Sequence, residues 1–268
     1  MLSYTVNEVD PGVYQIKDTL DVLMYLIVGD EKALLFDTGY GVIDLPAVVK
    51  SITDKPLTVV LGHGHIDHVN GAYQFDEVYL REPDFELCHE HTGIDLRQTI
   101  AERLKEANLK PDFDLDEWVK AGACKILPLE IGTVFDLGGI HVEIVDMAGH
   151  TAGSIGILLV EKRILIDSDS ANVHCWMFVP HSLSVREYIA MLERVKQMGF
   201  DKFYVAHQEN AHDKSYFDKF INVARNATIE KSEPYDSWPD MKPFIYSEDG
   251  VSIVINERTL GNCGSSGA

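Results

Sequence analysis

The apolar residues of this chain come in short β-branched runs broken by turn residues. Runs at 13–16, 22–28 and 33–36 read as strands separated by Asp, Gly and Glu. Residues 43–53 read as a short helix, Pro56 precedes a buried strand over 57–61, and 78–80 reads as the next strand. Over 82–124 the spacing turns helical. Asp95 stands three before Gln98 as a capping pair ahead of a helix over 96–109, and Asp114 stands three before Glu117 in the same way. This stretch reads as an inserted helical lid.

Strand patterns return at 125–129, 133–137 and 140–145. The runs at 155–160 and 163–166 are joined by Glu161-Lys162 and read as a hairpin. Ser184 and Glu187 form a capping box for an amphipathic helix that Gly199 stops. A strand over 203–205, a helix within 213–230 and a strand over 251–255 follow. Strands in runs with helices between them point to a mixed α/β sandwich, expected as one domain over 1–258 with a disordered small-residue tail at 259–268.

Candidate ligands recur where these runs end. The run at 33–36 ends in Asp37, and 57–61 leads to His63-Gly64-His65-Ile66-Asp67-His68. The run at 142–145 leads to His150, 164–166 to Asp167-Ser168-Asp169, and 203–206 to His207. If the runs are neighbouring strands, their exits form one rim, where open α/β sheets place ligands. Imidazoles and carboxylates in this mix suit a borderline divalent cation: zinc is the default, iron or manganese the alternatives.

Composition narrows the function. A net charge of −20 on 268 residues opposes binding to a phosphate backbone, so no nucleic-acid partner is expected. There is no long apolar run for a membrane span and no basic, apolar leader, which reads as a cytoplasmic protein. Cys88, Cys124, Cys175 and Cys263 are widely spaced and read as free thiols.

With these residues in order, the sequence resembles the metallo-β-lactamase-fold hydrolase superfamily. The likeness rests on Asp37-Thr38-Gly39, the HxHxDH run at 63–68, Gly149-His150, Asp169 and His207. It implies a four-layered αββα sandwich with a dinuclear site along one edge. His63, His65 and His150 would hold one metal, and Asp67, His68 and His207 the other. Asp169 would bridge them, and Asp37 would orient the histidine cluster. Asp67 and Asp37 are the carboxylates assigned catalytic work. Asn70, Ser168 and Gln208 stand where relatives often carry glycine, and Asp167 is an extra acid beside the bridging position.

The resemblance implies hydrolysis of a small acyl substrate, whether ester, thioester, lactone or amide, by a hydroxide held between two metals. The bridging acid favours hydroxyacylglutathione hydrolases and lactonases over antibiotic-degrading lactamases, although no glutathione-binding basic set follows His207. A small-molecule phosphodiesterase and an iron enzyme oxidising thiol-derived substrates are the alternatives. His89, His91, His141, His174, His181 and His212 lack metal spacing and read as structural or exposed. Tyr40, His181 and residues 173–179 are candidates for the pocket wall, the last equally for core.

Overall fold

The computed structural model describes residues 4–109, 114–122, 124–237 and 241–261. Cys263 and most of the expected tail lie outside them. The first sheet carries β1 (Tyr4–Asp10), β2 (Val13–Asp18), β3 (Leu23–Val28), β4 (Ala33–Phe36), β5 (Leu57–Val60), β6 (Glu77–Leu80) and β7 (Lys125–Pro128), paired in chain order. Strands β1 to β4 run antiparallel, and β4 to β7 are parallel.

The second sheet contains β8 (Val134–Asp136), β9 (His141–Asp146), β10 (Ile155–Leu159), β11 (Ile164–Asp167), β13 (Lys202–Val205) and β14 (Gln208–Asp213), in the order β14-β13-β11-β10-β9-β8. The expected hairpin at Glu161-Lys162 joins β10 to β11. A third, smaller sheet, not anticipated from the sequence, orders β12 (His174–Trp176), β17 (Val251–Ile255), β16 (Phe244–Glu248) and β15 (Glu233–Pro234).

Side-chain parity builds the layers. In β4, Leu34 and Phe36 face the second sheet and pack with Ile164 and Ile166 of β11. Ala33 and Leu35 face the other way, onto Val48 and Val49 of α1 (Leu45–Ile52). In β11, Leu165 points outward to α6 (Val185–Val195) and α7 (Tyr216–Asn226). Both faces of the central strands are thus buried, which is why they read as continuous apolar runs. The result is the four-layered sandwich the motifs implied.

Between β5 and β6 lies α2 (Ile66–Val69), and between β6 and β7 lie α3 (Phe85–His91), α4 (Ile94–Glu106) and α5 (Leu115–Val119). Asp114 caps α5 as expected, accepting from the N–H groups of Asp116 and Glu117. Asp95 does not cap α4. The helix begins at Ile94, two residues earlier than expected, with Gly93 at its cap, so Asp95 lies in the first turn, where its charge meets the positive end of the helix dipole.

The candidate ligands do not share one sheet's rim. Asp37 and the histidine run leave β4 and β5 of the first sheet, whereas the segments bearing His150, Asp169 and His207 leave β9, β11 and β13 of the second. The two rims meet because the sheets are stitched there: Ile155 N–H donates to the Gly62 carbonyl at 2.9 Å, and Leu23 N–H to that of Ala206 at 2.8 Å.

Candidate metal centre

Two groups of ligand atoms converge at this junction: His63, His65 and His150 in one, Asp67, His68, Asp169 and His207 in the other. The sharp turn into α2 places them. His65 stands in extended backbone at the helix cap, and the four-residue helix then turns Asp67 and His68 inward.

In the first group, Nε2 of His63 and Nε2 of His150 each lie 2.9 Å from Nδ1 of His65. His150 donates its Nδ1–H to the Trp176 carbonyl at 2.6 Å, which leaves the Nε2 lone pair facing the cluster. Burial, then crowding by neighbouring imidazoles, holds His63 and His65 well below the ordinary histidine pKa. Three buried imidazole nitrogens converging on one point are the kind of donor set that a borderline cation takes. The donor set fits a metal ion.

The second group is equally suited. His68 Nδ1 meets Asp37 Oδ2 at 2.9 Å, and its buried Nε2 has no hydrogen-bond partner. That Nε2 lies 3.4 Å from Asp67 Oδ2 and 3.6 Å from Asp169 Oδ2. His207 Nε2 is 3.4 Å from Asp67 Oδ2 and 3.2 Å from Asp169 Oδ1. Burial opposes charge on Asp67 and Asp169, but the imidazoles of His68 and His207 outweigh it and hold both carboxyls well below their usual range. Asp169 Oδ2 also lies 3.7 Å from His150 Nε2, so this one carboxylate reaches both groups.

Asp37 accepts the Gly62 N–H at 2.6 Å through Oδ1, while Oδ2 takes His68 and the hydroxyl of Ser168. Asp167 turns away from the cluster to accept the Ala171 N–H, and burial pushes its carboxyl up to about 7. Cys175 lies outside both groups, and its sulfur contacts the backbone carbonyls of Asp169 and Ser170.

Three residues at the centre were not singled out for it by sequence reasoning. Asp84, 1% exposed, accepts the N–H groups of Gly64 and Gly153 and the hydroxyl of Thr151, pinning the two histidine loops together. His91, expected to be structural or exposed, stacks on His65 with ring centroids 5.2 Å apart and accepts the Ile66 N–H. Ser168 was noted only as a departure from glycine. No local spacing signals any of them. Of the pocket-wall candidates, Tyr40 is partly buried beside the apolar cluster of α4 and α5, and His181 is exposed. Phe178 and Val179 belong to the core, and the Trp176 ring packs against them and Tyr235.

Comparison with known proteins agrees with the motif. Residues 18–79 match the model of the metallo-beta-lactamase superfamily. The human acyl-coenzyme A thioesterase MBLAC2 is 24% identical over 190 residues, spanning 65% of this chain and 67% of its own length. Hydroxyacylglutathione hydrolase GloC of Haemophilus influenzae is 26% identical over 158 residues, 54% of this chain and 64% of its own. A metallo-beta-lactamase from Pontibacter korlensis superposes with a TM-score of 0.58 at 16% identity, covering 84% of this chain and 100% of that one. The likeness to the solved structure concerns the fold.

Proposed function

We propose that this chain, an enzyme built on the metallo-β-lactamase fold, hydrolyses small acyl substrates, with a thioester as the favoured linkage. The observation that carries the reading is Asp169, whose two oxygens face both ligand groups at once. His63, His65 and His150 would hold one divalent cation, and Asp67, His68 and His207 a second. Such a pair supplies an acidified water as nucleophile and polarises the acyl oxygen.

The chain's own part is preorganisation. Hydrogen bonds to Trp176 and Asp37 fix the rings of His150 and His68, so their Nε2 atoms are aimed before any ligand arrives. The acidic surface offers no general attraction to a polyanionic carrier, so recognition would fall on the acyl part. The thioester preference is supported by the activity of the human relative. Zinc is the ion to test first.

The test joins metal analysis to a panel of acyl-coenzyme A, hydroxyacylglutathione, p-nitrophenyl acetate and bis-p-nitrophenyl phosphate. Acyl turnover that disappears with bound metal in His65→Ala and Asp169→Ala is the expected result. Full activity in a metal-free variant, or turnover of the phosphodiester alone, overturns it.

A further inference from the structure

The Ser168 hydroxyl touches a histidine in each half of the candidate centre. Its Oγ lies 3.0 Å from Nδ1 of His63, 2.9 Å from Nδ1 of His68 and 2.9 Å from Oδ2 of Asp37. All four side chains are buried, with His63, His68 and Ser168 at 0% exposure, so bulk water does not compete for these bonds.

Proton counting gives the bonds a direction. A carboxylate only accepts, so the single hydroxyl proton of Ser168 goes to Asp37, and the Ser168 oxygen is left as an acceptor. His63 must then be the donor in its bond to Ser168. Its Nδ1 carries the proton, and its Nε2 lone pair faces His65 and His150. His68 Nδ1–H points at the same Asp37 oxygen, so its Nε2 is the nitrogen that faces Asp67 and Asp169.

We propose that Ser168 is a positioning residue that relays the Asp37 carboxylate to His63, so that one buried acid sets the ring tautomer of a histidine in each half of the centre. The packing is built around it. A Cβ at residue 62 would stand 2.6 Å from Ser168 Cβ and 2.8 Å from its Oγ, so Gly62 leaves the room that the serine fills. Glycine at 168 would leave His63 Nδ1–H without this acceptor in a dry space, where a lost partner is costly.

The inference rests on the dinuclear reading, and its test separates the two. Zinc affinity is measured by chelator competition for wild type, Ser168→Ala and Ser168→Gly. Ring nitrogens are followed by long-range proton–nitrogen NMR of the zinc-loaded proteins. Both variants are smaller than serine, and the glycine form guards against a folding failure specific to alanine.

The relay predicts that each variant loses roughly 10- to 100-fold in affinity at the three-histidine group. The second group should change much less, and the slowly exchanging His63 Nδ1–H resonance should vanish. Asp37→Ala should weaken both groups. Two zinc ions bound by Ser168→Ala as tightly as by wild type, with the His63 resonance intact, overturn the relay alone. Equal weakening of both groups also overturns it, because a general structural defect would do that. A wild-type protein that binds no zinc overturns the dinuclear reading itself.

Discussion

Asp84 accepts the backbone N–H of Gly64 at 2.9 Å, twenty residues upstream, and thereby holds the loop that carries His63 and His65. The same carboxylate takes Thr151 Oγ1 at 2.6 Å and Gly153 N–H at 2.7 Å, binding the loop of His150 to it. Asp84→Ala strands both buried N–H groups and should destabilise the fold by about 3 kcal/mol. Urea unfolding measures this, and zinc affinity should fall in parallel. A variant as stable as wild type would show that the two loops hold each other without it.

Arg97 of α4 ties the helices between β6 and β7 to the segment that follows the histidine run. Its Nε donates to Asn70 Oδ1 at 2.7 Å and its Nη1 to the Ala121 carbonyl at 2.6 Å, with the Tyr73 ring 5.2 Å away. Burial lowers its pKa, as befits a cation among neutral groups. Arg97→Met should cost about 3 kcal/mol by leaving those acceptors unpaired. Hydrogen exchange should quicken first in α4 and α5, and Arg97→Lys should restore little, since an ammonium cannot span both acceptors. Unchanged exchange in those helices would contradict the tether.

Asp18 gives the pH prediction. Burial lifts its carboxyl to about 6, although N–H bonds from Val22 and Leu20 oppose the rise, and the charge of Asp67 adds to it. A folded pKa above the unfolded value means a contribution to stability that is fully present below about pH 4 and lost as the pH rises through about 6. Asn keeps the acceptor oxygen but cannot ionise. In metal-free protein, Asp18→Asn should therefore be more stable than wild type by up to about 3 kcal/mol near pH 8, with the gap closing toward about pH 4. A difference that ignores pH would refute the electrostatic cause.

Metal removal should be visible in stability as well as rate. Stripping by a chelator leaves the nitrogens of His63, His65 and His150 crowded at 2.9 Å. Zinc at a hundred times its dissociation constant should then stabilise the folded state by about 2.7 kcal/mol for each independent site. Calorimetry before and after reloading reads the shift in Tm. Identical melting of the stripped and reloaded proteins would mean that these groups are not ligands.

Much of this was readable from residue order. The central strands announce themselves because both faces are buried, and the Ser184–Glu187 capping box forms as its spacing requires. Strands β1 and β14 escaped notice because their exposed or polar residues carry no apolar alternation. Asp84 was illegible for a different reason: its partners Gly64 and Thr151 lie 20 and 67 residues away, and only the folded chain brings them together. The seven candidate ligands could be named from the motif resemblance, since each stands just beyond the end of an apolar run. That they join the edges of two sheets was not, since no periodicity reports which sheet a strand enters.

The carbonyl that steers His150 belongs to Trp176, in a strand whose single neighbour in its sheet is β17, close to the far end of the described chain. During synthesis the strand pairing that seats this carbonyl cannot form until Val251–Ile255 has been made. The three-histidine pocket should thus take its final form late, after every one of its own side chains has already been made.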